Sequence, residues 1–150
     1  GASTRGGTFV SATAQTARSV RTSVMSDLGE VSAYKEALLR NEIGLQRPLG
    51  ANVPGVDFIT AARDPTTRLM EVITTDAKTS SVGVFPPPRP GAIPNAWMQE
   101  VLDAVGPQRL GLGDAQLESE IRAAVAAGRV RSRQLNVDFS PAGQGQVSGF

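Results

Sequence analysis

Two β-patterned runs, Val56 to Ala61 and Arg68 to about Lys78, lie on either side of one short turn through Arg63-Asp64-Pro65. A link this short leaves no room for a crossover, so the two runs are predicted to pair as an antiparallel hairpin. Side chains alternate along a strand, which puts Asp76 and Lys78 on the face that also carries Val72 and Thr74, with Glu71 on the other. Acidic residues are disfavoured within strands, yet Asp57 falls in the first run and Asp76 in the second. Local rule-breaking of this kind marks candidate sites.

The rest of the chain reads as helices and one further strand arranged around this hairpin. Residues 1–7 read as a flexible lead, and Phe9, Val10, Ala14, Ala17, Val20, Val24, Met25 and Leu28 recur at loosely helical spacing. After Gly29 a clearer helix is predicted from about Glu30 to Ile43, with Val31, Tyr34, Leu38 and Glu42 along one stripe, so that Glu42 continues a buried face. Gly44 to Pro54 reads as a loop, and Pro86-Pro87-Pro88-Arg89-Pro90 as a stiff surface connection. Asn95 is placed to cap a helix carrying Trp97, Val101, Leu102 and Val105, which Gly106-Pro107 stops. At Trp97 this spacing favours a core position over base stacking. Asp114 caps another helix, with Leu117, Ile121, Ala124 and Val125 inward and Gly128 at its end. A last strand spans Arg129 to Phe139, and the Gly/Gln/Ser-rich residues 140–150 read as a flexible tail. The expectation is an α/β (α+β) chain forming one domain over residues 1–150, a mixed central sheet flanked by helices.

Composition narrows the chemistry. The 150 residues include no cysteine and no histidine. That removes disulfides, thiolate catalysis, Ser-His-Asp machinery, paired-histidine ribonuclease chemistry and zincin-type metal sites. Phosphodiester chemistry would have to run on carboxylates, Lys, Arg, hydroxyls and a metal. Aromatics are 5% of the chain, so the core must rest on Val, Ile, Leu and Ala with anchors such as Phe58, Trp97 and Phe139. A net charge of +1 exerts no global pull on a polyanion, which would need local basic clusters. No apolar run is long enough to cross a membrane as a helix, so stable membrane insertion is not expected.

Glu42, Asp57, Asp76 and Lys78 together make a set suited to metal-dependent phosphodiester cleavage. A hard divalent cation prefers oxygen ligands from one or two carboxylates, with water and substrate phosphate filling its remaining positions. An amine can then orient the attacking water or neutralise developing charge.

The order of an acid on a helix, Gly55-x-Asp57 entering a strand, then Asp76-x-Lys78 on the next strand resembles the PD-(D/E)xK nuclease superfamily. More narrowly, Glu42-Ile43-Gly44-Leu45-Gln46-Arg47-Pro48 followed by Asn52-Val53-Pro54-Gly55-Val56-Asp57-Phe58 resembles the C-terminal toxin domains of bacterial contact-dependent growth inhibition proteins. The resemblance covers roughly Ala33 to Thr79. It implies a restriction-endonuclease-like core, Asp57 and Asp76 as ligands of Mg²⁺ (or Mn²⁺ or Zn²⁺), Glu42 as a ligand or water positioner, and Lys78 as the catalytic amine. It also implies a cognate immunity protein as partner. The domain would be the C-terminal part of a secreted or cell-surface bacterial protein, acting in the cytoplasm of the target cell. Such domains cut DNA in some cases and transfer RNA in others, and tRNA is the favoured expectation here.

Nucleic-acid contacts are expected from Thr79 and Ser80, which directly follow the lysine, and from Arg129, Arg131 and Arg133 on one face of the last strand. The alternatives are a DNase of the same fold, a metal-independent ribonuclease attacking through a 2′-hydroxyl, and a non-enzymatic binding module whose acids form a structural network with Lys78.

Overall fold

A computed structural model describes residues 23–50, 55–88, 93 and 95–150 of the chain. The expected lead at 1–7, the helical pattern over 9–22, and Asn52, Val53, Pro54, Arg89 and Pro90 lie outside the described residues.

Helix α1 occupies residues 23–39 without a break at Gly29, where the sequence reading ended one helix and began another. Its C-terminus is closed by Asn41, in the left-handed region at φ 68°. The Asn41 N–H bonds the Leu38 carbonyl and the Glu42 N–H bonds the Ala37 carbonyl, both at 3.1 Å, which is the Schellman arrangement. Glu42 is therefore past the helix end. The expected helix to Ile43 is corrected, because Ile43–Gln46 is strand β1 and not loop.

The expected hairpin is present as β2 (Phe58–Arg63) and β3 (Met70–Ser80), in antiparallel register from Phe58 opposite Thr75 to Arg63 opposite Met70. Asp64 shapes the link, accepting from the N–H groups of Thr66 and Thr67 at 2.7 and 3.0 Å. Helices α2 (Asn95–Ala104) and α3 (Ala115–Ala126) then carry the chain back, so that β4 (Val130–Asp138) pairs with β3 in parallel. The Asp114 carboxylate accepts from the Leu117 N–H at 3.0 Å and caps α3 as expected. The tail expected to be flexible instead supplies strand β5 (Gln146–Ser148), antiparallel to β4. The fold is thus mixed α+β, a five-stranded mixed sheet ordered β1-β2-β3-β4-β5 with helices on both sides. No helix among the described residues is long and apolar enough to cross a membrane.

Strand alternation sorts the core into two layers. On one face Ile59, Ala61, Met70 and Val72 pack with Val101, Ala104 and Val105 of α2 and its end, and with Ile121 and Ala124 of α3; Trp97, Leu117 and Val125 border this cluster. On the other face Phe58, Leu135 and Val137 pack against Ala33 and Ala37 of α1, with Tyr34 edge-on to Phe58 at 5.2 Å. The α1 stripe read as buried is thereby corrected: Val31 and Leu38 are 56% and 40% exposed, and the inward face is Gly29, Glu30, Ala33 and Ala37. Small residues let the helix lie close to the sheet.

Closest approach is at Gly29, where an added Cβ would run into the Thr79 methyl group of β3. Gly29→Ala should lower stability by about 1–3 kcal/mol through overpacking, despite the better helix propensity of alanine. Chemical denaturation should show Thr79→Ala in the same chain restoring most of that loss.

Candidate active site

Asp57 lies just before β2, at the point where the chain joins the sheet. Its own N–H bonds the Thr75 carbonyl at 3.0 Å, and its Oδ2 accepts the Ala77 N–H at 2.6 Å. The side chain thus takes the place of a backbone acceptor beside β3, in the stretch of that strand that runs past the end of β2. The approach to Asp57 is held from α2. Glu100 Oε2 accepts the Val56 N–H at 3.2 Å, and Gly55, at φ +109°, sits so close to that carboxylate that a Cβ would strike it. Only glycine meets both demands.

Asp57 stands between two other acids. It interacts through side-chain hydrogen bonding with Glu30 of α1 and with Asp76 of β3. Burial pushes the Asp57 carboxyl up to about 8, the Ala77 N–H opposes the shift, and hydrogen bonding and charge from Glu30, with Asp76, add to it. Burial likewise raises Glu30, opposed by its bond to Asp57 and helped by the charges of Asp27 and Asp76. Glu30 is 5% exposed, and its Oε2 is a buried oxygen with no hydrogen-bond partner. Lys78 Nζ lies 3.2 Å from Asp76 Oδ2, on a lysine side chain that is 40% exposed. The result is a buried acidic pair in which Asp57 holds a proton, joined to an ion pair open to solvent.

The structure therefore brings together Asp57, Asp76 and Lys78 of the residues expected from sequence, and adds Glu30. Glu42 is elsewhere. Its carboxylate receives Arg133 Nη1 at 2.6 Å and Nη2 at 2.7 Å, together with the Thr60 hydroxyl at 2.6 Å. Both ionic side chains are nearly fully buried, at 5% and 7% exposed. Thr60 and Arg133 belong to the α1 face, whereas Asp76 and Lys78 point to the opposite face, so the sheet itself separates Glu42 from them. A signal for Glu30 existed in the sequence: Gly29, Ala33 and Ala37, spaced by four, mark the close-packed face on which Glu30 also falls.

The five residues expected to contact nucleic acid have other occupations. The Thr79 side chain packs against Gly29. Ser80 Oγ accepts the Val82 and Val84 N–H groups at 3.1 and 3.2 Å and shapes the turn after β3. Arg129 Nε donates to the Met70 carbonyl at 3.0 Å, and Arg131 Nε to Glu71 at 2.9 Å. Arg133 adds a 2.9 Å bond to the Thr75 hydroxyl to its pairing with Glu42. Of the three arginines Arg133 is buried, Arg129 is half-buried and Arg131, 49% exposed, faces solvent most, in an ion pair of the surface kind worth little.

Among the described residues no group of three or more acidic side chains is arranged so that it could hold a metal ion. Mg²⁺ does not require such a group, since it keeps several waters and commonly takes one or two carboxylates. The donor chemistry suits such an ion: oxygen ligands only, a buried oxygen without a partner, and two carboxyls, Asp57 and Glu30, that burial and neighbouring acids raise above their ordinary range. Searches against protein-family models, curated proteins and solved structures found no match to this chain.

Two outcomes follow. In metal-free buffer, Asp57 binds its proton up to about 8 when folded and to its ordinary 3.8 when unfolded, so between those values the native state holds more protons. Stability should then fall as pH rises from about 4 to about 8 and level off above, and Asp57→Asn should remove that decline in thermal melts. Glu42→Ala, which leaves the Arg133 charge buried and unpaired, should cost about 3–5 kcal/mol by urea denaturation.

Proposed function

We propose that this chain is a metal-dependent endonuclease with a PD-(D/E)xK core, cleaving nucleic acid at Glu30, Asp57, Asp76 and Lys78. The observation that carries the reading is the buried pair Glu30 and Asp57 beside the Asp76–Lys78 ion pair. A structural network would be expected to match its acids with cations or donors, as Glu42 is matched by Arg133 and Thr60. Here one buried carboxylate oxygen has no partner, and Asp57 avoids charge by holding a proton. Functional sites concentrate perturbed acids of this kind.

In this reading Asp57 and Asp76 would hold Mg²⁺, and Glu30, in the role the resemblance implies for Glu42, would ligate it or hold one of its waters. The ion, when bound, would polarise the scissile phosphate and make a bound water more acidic. Asp57 would give up its proton to become a ligand, so binding would be coupled to pH. Lys78, held by Asp76 at the solvent side of the cluster, orients the attacking water and offsets charge developing on the phosphate.

Transfer RNA is the proposed substrate and DNA the alternative within the same chemistry, a preference that comes from the sequence resemblance. The same resemblance extends the proposal to a toxin domain delivered from a secreted or cell-surface bacterial protein into a competitor's cytoplasm and neutralised by an immunity protein.

The test incubates the protein with total tRNA and with plasmid DNA, each with Mg²⁺ or with excess EDTA. Cleavage should require Mg²⁺ and fall on tRNA. Lys78→Ala and Glu30→Gln should lower the rate by about a hundredfold or more, whereas folded Glu42→Gln should stay active. Undiminished cutting in EDTA, or by Lys78→Ala, would sink the reading.

A further inference from the structure

The strand beside the proposed catalytic pair carries two amides whose register ties them to it. In the parallel β3–β4 pairing, Gln134 lies opposite Asp76 and Asn136 opposite Lys78. Opposed residues of adjacent strands project to the same face, so the four side chains form two neighbouring rows. Helices α2 and α3 cover the other end of this face, over Met70 and Val72.

Gln134 is 9% exposed and both N–H groups of its amide are used. One goes to the Pro86 carbonyl at 2.8 Å and the other to Asn136 Oδ1 at 3.0 Å. A donor with two fixed acceptors has one orientation. Because Gln134 offers only donors at that end, Asn136 must turn its oxygen toward Gln134. The Asn136 NH₂ is left as the available end, half-buried, with no partner among the described residues.

We infer that Asn136 is a substrate-contacting residue, its amide NH₂ donating to a non-bridging oxygen of the phosphate that Lys78 also faces, and that Gln134 with Pro86 is the device that positions it. The inference rests on the nuclease reading and identifies a contact that the five residues expected from sequence do not supply. An ammonium and a neutral NH₂ on adjacent strands, opposed in register, make a pair of donors suited to one anionic group. A neutral donor serves well at this spot, because a third cation would compete with metal binding for Asp76.

The experiment measures steady-state cleavage with Mg²⁺ for the full chain and for Asn136→Ala, Asn136→Asp, Asn136→Ser and Lys78→Ala, each checked for folding by thermal melting. Loss of a hydrogen bond to a charged group predicts that Asn136→Ala lowers kcat/KM about ten- to a hundredfold. Asn136→Asp, of the same shape but with no donor, should lose at least as much. Asn136→Ser, which returns one donor, should recover part of the loss. A residue with a merely structural role would instead order these variants by melting temperature.

Wild-type kcat/KM in Asn136→Asp alongside an inactive Lys78→Ala would overturn this inference and leave the nuclease reading intact. Full activity in Lys78→Ala would overturn both. Should Asn136→Ala fail to fold, the comparison of Asn136→Asp with Asn136→Ser decides the matter.

Discussion

The Glu42–Arg133 ion pair is the interaction on which the rest of the arrangement depends. Arg133 of β4 grips both oxygens of Glu42 and the Thr75 hydroxyl of β3, and Glu42 in turn receives the Thr60 hydroxyl of β2. One nearly dry cluster thereby joins three strands to the residue immediately after the α1 C-cap. Desolvating two charges is costly, and the bidentate geometry with added hydroxyl bonds offsets it. The benefit is positional: with its C-terminal end pinned and its glycine seated on Thr79, α1 has one placement, and that placement delivers Glu30 to Asp57. Phe150, lying 4.1 Å from the Arg40 guanidinium and 4.9 Å from that of Arg133, closes the cluster from outside.

The sheet divides two kinds of charge. On the α1 face the acid is matched by a cation and hydroxyls, and its contribution is to stability. Asp76 and Lys78 are on the opposite face, while Asp57, just before β2, links them to Glu30; that second group is under-matched, carries a proton on Asp57 and is reachable from solvent through Lys78. An acid satisfied inside a protein has little left to offer a ligand. The contrast between Glu42 and Glu30 is thus the physical basis for assigning one to the fold and the other to the proposed chemistry.

Much of this was legible from the residues alone, for reasons that are local. The β2–β3 hairpin follows from a short turn between β-patterned runs, and the shared face of Asp76 and Lys78 from strict alternation. The Asp114 cap follows from a side chain serving a backbone N–H three residues on. Glu42 and Glu30 could not be sorted that way. A helical period of 3.6 residues drifts across a segment of this length, and moving the helix end by a few residues exchanges the face each acid occupies. Strand β5 was missed because its pairing depends on β4 and not on any pattern within Gln146–Ser148. The arginines of β4 looked like a basic track because parity shows which residues share a face but not which partners stand opposite.

The sequence by itself determined the available chemistry: without cysteine or histidine, only carboxylates, amines, guanidiniums and hydroxyls remain, and strand alternation sets Asp76 and Lys78 side by side. Only the tertiary structure decided which acid joins them. That choice depends on how α1 docks across the sheet, which is governed by contacts between residues far apart in the chain, Glu42 with Arg133 and Gly29 with Thr79. Local pattern carries no information about such contacts until the strands have paired.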